Sequence, residues 1–244
     1  KHYTIHSYFI TSVGNSMKLR PVVMKLSEKT LSFLKNFSTI NQSINFKQGN
    51  SLRTISVMKN ILAEVTIDEE LPKDFGIYDL SQFLNGLSLH NSPELDFQED
   101  NYVVIKEGRS RSNYFFADPS VIVTPPEKEI NLPSEDVSFE LSTDQLDKLL
   151  KAAAIYQLPD LCVTGGAGVV KIMVRDKKND TSNDFSVIVG ETDKTFSFNF
   201  KVENIKILPG TYEVVVSKEL LSRFTSKNYD LRYWIALEPD STFQ

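Results

Sequence analysis

Three histidines, one cysteine, a glycine cluster and two acidic runs are the residues of this chain that could carry chemistry. His2 and His6 stand four residues apart, the spacing that clips a metal ion on one face of a helix. Tyr3, Thr4 and Ile5 between them are poor helix formers, so no metal site is expected there. His90 follows Leu89 and reads as a helix C-terminal residue, favourable against the helix dipole. Cys162 lies in the apolar run Leu161-Cys162-Val163 and reads as a buried structural thiol. A single cysteine builds no disulfide framework and no zinc knuckle within one chain, and a reducing, intracellular compartment fits it. Gly165-Gly166-Ala167-Gly168 invites a phosphate-loop reading but lacks the Lys-Ser/Thr tail. Apolar runs flank it, so a hairpin turn is expected instead. Asp68-Glu69-Glu70 and Glu99-Asp100 fall in polar stretches, where a solvated surface is expected rather than an acid/base pair. No nucleophile stands with a base, so no catalytic residue, no metal and no cofactor is expected, and an enzyme is disfavoured.

Composition narrows the class further. A hydrophobic share of 41% over 244 residues supports sizeable cores and makes wholesale disorder untenable. The longest apolar runs fall short of about 18 residues, so no membrane span is expected. The formal net charge of -5 argues against a simple basic nucleic-acid binder, provided the charge is evenly spread. It is not. Residues 1–23 carry Lys1, Lys18 and Arg20 and no acid, a sum of +3; residues 24–125 hold 10 basic and 13 acidic side chains; residues 126–244 hold 14 and 19. The acids concentrate between strands, while lysines recur on the expected helices.

Those helices are legible from capping and period. Ser27 caps a helix carrying Leu31, Phe33, Leu34 and Phe37, expected to run to about Ser38. Strands are expected at 44–47, 52–57 and 62–67. A second helix, capped at Tyr78 or Asp79, carries Leu80, Phe83, Leu84 and Leu87. Strands at 94–97, 102–106 and 113–117 close this half, and Asp118-Pro119 stops the last. Pro125-Pro126-Glu127-Lys128-Glu129-Ile130-Asn131-Leu132-Pro133 is then a semi-rigid extended connector.

The second half repeats the first. Leu141-Ser142-Thr143-Asp144 echoes Leu26-Ser27-Glu28-Lys29 and opens a helix with Leu146, Leu149, Leu150 and Ala153 on one face. Strands are expected at 160–164, 169–174, 185–189 and 195–200. A short helix over Val202–Leu208 follows, ended by Pro209-Gly210, then strands at 212–216, 220–225 and 231–237. The expected architecture is α+β, with two similar domains, each having two helices packed on antiparallel sheets. Boundaries are set at 1–23 for an N-terminal extension, 24–125 and 135–244 for the domains, and 126–134 for the connector.

Met24-Lys25-Leu26-Ser27, Leu34-Lys35-Asn36-Phe37, Ile77-Tyr78-Asp79-Leu80, Leu87-Ser88-Leu89, Ala117-Asp118-Pro119-Ser120 and Ala236-Leu237-Glu238 with Asp240-Ser241-Thr242 stand in collinear order. Over residues 24–244 the chain resembles the T-even bacteriophage sliding clamps, the DNA polymerase processivity factors. The resemblance implies the DNA clamp fold and a homotrimeric ring around duplex DNA, held without sequence reading. It implies a replicative DNA polymerase as tethered partner, an ATP-driven clamp loader, and the cytoplasm of an infected bacterial host. No membrane partner is implied.

The residues suit a topological binder. Enclosure supplies the grip, so few strong phosphate contacts are wanted, since each neutralised phosphate adds affinity by counterion release. Lys25, Lys29 and Lys35 lie in the first helix region, Lys148 and Lys151 in its repeat, and Lys201 and Lys206 at the short fourth helix. These are the expected DNA-facing residues, with Arg109 and Arg111 in a turn as weaker members. By the family's topology, the strand of Asn113, Tyr114, Phe115 and Phe116 meets the strand of Phe185, Val187 and Val189 in a neighbouring subunit. A partner-peptide groove is expected at Val121, Ile122, Val123 and Pro125, beside Leu237, Glu238 and Pro239. The alternative from another class is a β-rich phage structural or scaffolding-type binding protein with no DNA role.

Overall fold

A computed structural model describes the backbone of residues 8–11 and 18–244, with side chains from residue 22 onward. Lys1, His2 and His6, and the side chains of Lys18 and Arg20, lie outside the described residues. The chain divides into two compact units: residues up to 54 with 65–125, and residues 55–64 with 126–244.

The first unit runs β1 (Tyr8–Thr11), β2 (Lys18–Pro21), β3 (Val23–Met24), α1 (Glu28–Ile40), β4 (Ile44–Phe46), β5 (Gly49–Ile55), β6 (Ile61–Leu71), β7 (Phe75–Ile77), α2 (Leu80–Leu87), β8 (Glu94–Asp96), β9 (Tyr102–Glu107) and β10 (Ser110–Phe115). Its largest sheet has the order β10-β9-β8-β3, antiparallel throughout. Val22 is buried and Val23 pairs with Asp96, so this sheet takes in residues on the N-terminal side of Met24.

Capping fixes both helix starts. The Ser27 hydroxyl accepts from the Thr30 N–H, and the Asp79 carboxylate accepts from the Gln82 N–H at 2.8 Å. A second anchor holds α1: Glu69 accepts from the Ser27 N–H at 2.5 Å and the Thr30 hydroxyl at 2.6 Å. Burial opposes the charge on Glu69, yet these donors hold its carboxyl below the usual carboxylate range. The acidic run read as plain surface therefore contains one structural cap. Phe33, Leu34 and Phe37 of α1 and Leu80, Phe83, Leu84 and Leu87 of α2 are buried, each side chain stabilising by about 1.5–3 kcal/mol. The helical stripe thus faces the core, and the lysine-bearing face of α1 is left outward.

The second unit runs β11 (Val137–Leu141), α3 (Thr143–Tyr156), β12 (Asp160–Gly166), β13 (Val169–Arg175), β14 (Phe185–Glu191), β15 (Phe196–Lys201), β16 (Tyr212–Ser217), β17 (Leu221–Ser226), β18 (Leu231–Ala236) and β19 (Thr242–Phe243). One sheet has the order β14-β13-β12-β15-β19; in the other, β11-β16-β17-β18 is extended by the start of β6. A reciprocal capping box between Ser142 and Gln145 starts α3. Ala167 (φ 51°) and Gly168 (φ 83°) form the two-residue turn between β12 and β13. Positive φ at both positions matches a hairpin turn, and the glycine cluster is that turn.

The α+β architecture with antiparallel sheets is as expected, with one correction. The second unit lacks a second α-helix: Val202–Leu208 yields only a 3-10 turn over Val202–Asn204. β-branched Val202, Ile205 and Ile207 lose rotamer freedom in a helix, and Pro209 pushes Leu208 toward extended backbone. The Leu208 N–H is instead satisfied by the Tyr233 hydroxyl at 3.1 Å, and its carbonyl accepts from the Tyr212 hydroxyl at 2.5 Å. Strands β1, β2, β3, β7, β11 and β19 lie outside the strand ranges expected from the sequence.

Candidate functional site

The exposed faces of α1 and α3 carry the lysines, because the opposite face of each helix is apolar and buried. Lys35 is exposed on α1, and Lys29 is paired with Asp68 at 2.5 Å. Lys25 precedes α1 and donates to the Ser92 hydroxyl at 2.9 Å. Lys25 and Lys35 both line a groove of about 420 Å³ between α1 and α2, walled by Leu31, Leu84, Leu87 and His90. On α3, Lys148 pairs with Asp144 and Lys151 with Asp147, each at 2.7 Å and one helical turn apart. Hydrogen bonding to Asp147 raises the Lys151 ammonium above its usual range. Each α3 lysine is thus half-neutralised by its own helix. Such exposed pairs stabilise by only about 0.3–0.5 kcal/mol, so a phosphate competes easily for the ammonium.

Four other basic residues read with this group sit differently. Lys201 ends β15 and binds Asp160 at 2.6 Å, inside the unit's polar framework, so its charge is committed there. Lys206 is exposed, but follows the 3-10 turn rather than standing on a helix. Arg109 lies in the β9–β10 turn, and Arg111 on β10, where its guanidinium meets Asn113 at 3.4 Å. His90 lies past the end of α2, its N–H bonded to the Leu87 carbonyl and its ring 3.9 Å from the Glu107 carboxylate.

A second site lies beside the connector. Ile55, Ile61, Leu62, Pro126, Ile130, Leu221, Trp234 and Ala236 line a largely apolar pocket of about 280 Å³. Its floor comes from β17 and β18, and Pro126 and Ile130 come from the connector. Trp234 is held by the Arg232 guanidinium 5.6 Å from its ring centre, and Arg232 is itself fixed by Glu64 at 3.1 Å. The residues expected to form a groove differ in exposure. Val121 is exposed, Ile122 is buried, and Val123 and Pro125 are half-buried. The Val123 carbonyl accepts from the Asn41 amide. Leu237 is buried, Glu238 is half-buried and Pro239 is exposed. The signal that locates the pocket is the connector's own Pro126 and Ile130. Trp234 and Leu221 reach it only through strand pairing distant in sequence.

Two of the sheet edges among the described residues concern the expected subunit contact. β10 ends one sheet and β14 ends another. On β10, Asn113 and Phe115 face outward, while Tyr114 turns inward to give its hydroxyl to the Asp79 carbonyl and its ring edge to Phe83. Phe116 lies just beyond β10, half-buried and 5.1 Å from the ring centre of Phe75. On β14, Phe185, Val187 and Val189 are half-buried, whereas Ile188 is exposed. Burial pushes the Cys162 thiol up, consistent with an inert structural role. Among the described residues no three His, Cys, Asp or Glu side chains converge on a metal position, and no helix is long and apolar enough to cross a membrane.

Comparison with known proteins covers both units. A family model described as DNA polymerase processivity factor matches residues 25–124, and one described as gp45 sliding clamp, C terminal, matches residues 138–239. The sliding clamp of Enterobacteria phage T4 is 34% identical over 228 residues, covering 90% of this chain and 99% of the relative. That of Vibrio phage KVP40 is 33% identical over 222 residues, covering 88% and 99%. Among solved structures, Archaeoglobus fulgidus PCNA, described with the C-terminal region of FEN-1 bound, aligns with a TM-score of 0.64 at 15% identity, covering 91% of this chain and 99% of that one.

Proposed function

We propose that this chain, which belongs to the phage sliding-clamp family of DNA polymerase processivity factors, closes head to tail as a homotrimer around duplex DNA. The ring is placed by an ATP-driven loader and works in the cytoplasm of the infected bacterial host. The faces of α1 and α3 front the phosphates through Lys25, Lys29, Lys35, Lys148 and Lys151. The observation that carries this reading is the pairing of Lys148 with Asp144 and Lys151 with Asp147. A ring that must slide needs attraction that follows the backbone without a deep minimum at any one phosphate. Lysines already shared with carboxylates on their own helix supply that. Lys201 is left out, because Asp160 holds its charge.

The polymerase is tethered through a short apolar peptide seated in the Trp234 pocket beneath Pro126 and Ile130. The archaeal neighbour described with a bound FEN-1 C-terminal region supports a peptide of that kind. Sliding clamps act by holding a polymerase on its template, and nothing in this role calls for a catalytic group or cofactor.

The direct test is retention on nicked circular DNA after loading. Lys29→Ala, Lys35→Ala, Lys148→Ala and Lys151→Ala combined should shorten retention and flatten its salt dependence, because fewer counterions are released. Unchanged retention and salt slope would remove the helix faces from the DNA assignment.

A further inference from the structure

We propose that the Trp234 pocket selects an acidic peptide: Lys59 takes a peptide carboxylate, and the Trp234 indole N–H takes a peptide carbonyl. This rests on the peptide reading above and names the chemistry of the occupant.

The polar groups of the pocket decide what it can hold. Among the residues lining it, only Lys59, Asn60 and Trp234 carry polar side chains. Asn60 is engaged at both ends: its Oδ1 accepts from the Ser56 hydroxyl at 2.6 Å, and its Nδ2 donates to Asn204 Oδ1 at 3.0 Å. The neighbouring guanidiniums are engaged too. Arg232 is paired with Glu64 at 3.1 Å, and Arg223, the cross-strand partner of Trp234, with Glu135 at 3.2 Å. Trp234 is 4% exposed, and its Nε1–H has no hydrogen-bond partner. Lys59 is exposed, and among the described residues its ammonium joins no ion pair. Two donors are therefore left over and no side-chain acceptor is. A buried donor without a partner is rare in folded proteins and asks for an explanation. An occupant that brings acceptors supplies one; a purely apolar or basic occupant does not.

The backbone singles out Lys59 independently. It stands at φ 57° in the turn joining β5 to β6, a left-handed position that Gly or Asn fills with less strain. The turn around it is braced. The Ser56 hydroxyl accepts from the Asn60 and Ile61 N–H groups at 3.1 and 3.2 Å, and the Lys59 N–H donates to the Ser56 carbonyl at 2.8 Å. The Asn60 carbonyl accepts from the Ala236 N–H at 2.9 Å, which fixes the turn to β18, the strand of Trp234. An ill-suited residue held at the corner of an over-determined turn points to a use for its side chain. Val57 and Met58 of the same turn are 66% and 81% exposed, apolar surface beside a free ammonium. A peptide with an apolar anchor followed by an acidic residue matches this order: anchor in the pocket, carbonyl on the indole, carboxylate on Lys59.

Calorimetry on the full chain tests the assignment, with a tryptophan-free peptide from the C-terminus of the cognate polymerase and a copy whose acidic residues are replaced by their amides. The wild-type chain should bind the amide copy about fivefold more weakly than the acidic peptide. Lys59→Asn should bind the acidic peptide more weakly by the same factor and lose the preference between the two. It should unfold no earlier on heating, because Asn tolerates the left-handed position better than Lys. The single tryptophan gives one indole N–H resonance in an isotopically labelled chain, and peptide binding should move it downfield as the hydrogen bond forms. A wild-type chain that binds neither peptide rejects the pocket as a peptide site. Binding that is equally tight for both peptides, or unaffected by Lys59→Asn, overturns the carboxylate assignment and leaves the pocket standing. Binding with an unmoved indole resonance overturns the Trp234 assignment in the same way.

Discussion

The Lys201 ammonium lies 2.6 Å from the Asp160 carboxylate, a side chain only 2% exposed at the start of β12. Asp160 also accepts from the Lys177 N–H at 3.0 Å. Burial opposes its charge, yet Lys201 and the Lys177 N–H hold the Asp160 carboxyl below the usual carboxylate range. The bond to Asp160 raises Lys201 above its own. A depressed carboxyl stabilises fully above the unfolded value of about 3.9 and ceases to do so as pH falls through its folded value. A raised lysine stabilises fully below about 10.4 and ceases to do so as pH rises through its folded value. The pair is therefore intact between those limits. Asp160→Ala strands a partly buried ammonium and should cost about 3 kcal/mol in urea unfolding at pH 7. The gap from wild type should narrow toward pH 3. A gap that is constant with pH would show that packing, not charge, holds this corner.

Lys201 also shows where sequence reading stops. Its partner lies 41 residues away, joined only by the antiparallel pairing of β12 with β15. The main helices, their caps at Ser27, Asp79 and Ser142, and the Gly168 hairpin were legible because each depends on residues within one or two turns. At Val202 the local spacing imitates a helix, but only a 3-10 turn forms, because Tyr233, distant in sequence, takes the Leu208 N–H. The lysines of α1 and α3 were found by period. The Trp234 pocket was not, because its floor is assembled by β17 and β18.

Asp144 and Asp147 should act as brakes on DNA affinity. Each holds an α3 lysine at 2.7 Å on an exposed face. Asp144→Asn with Asp147→Asn frees both ammoniums for phosphates and removes two like charges facing the duplex. Stability should change by less than about 1 kcal/mol. DNA retention should lengthen, its salt slope should steepen, and one-dimensional diffusion in single-molecule tracking should slow. Faster or unchanged diffusion would place these carboxylates away from DNA.

The pocket beside the connector is open to a direct optical test, because Trp234 is the only tryptophan in the chain. A tryptophan-free peptide from the C-terminus of the cognate polymerase should shift its emission on titration. Ile130→Asp puts a carboxylate at the mouth of an apolar pocket and should weaken binding at least about tenfold, the effect of roughly 1.4 kcal/mol. Ile130 is half-buried in the connector, so thermal unfolding should hardly move. Equal affinity in the variant would assign the peptide elsewhere.

Tyr233 and Tyr212 should differ in what their hydroxyls are worth, although both hold the same residue. Tyr233 accepts from the Leu208 N–H, and Tyr212 donates to the Leu208 carbonyl. A buried N–H without a partner loses its one bond, whereas a carbonyl keeps a second lone pair and tolerates under-satisfaction better. Tyr233→Phe should therefore cost about 2 kcal/mol and Tyr212→Phe about 1 kcal/mol, measured by denaturant unfolding at neutral pH. Burial pushes both phenols well above the ordinary tyrosine value. Raised phenols stabilise fully below the unfolded value of about 10 and cease to do so as pH rises through the folded values. Alkaline difference absorption should thus show two tyrosines that ionise only on unfolding, and one fewer in each variant. Reversed costs, or two tyrosines titrating normally in the folded wild type, would break the link between these hydroxyls and the non-helical course of residues 205–208.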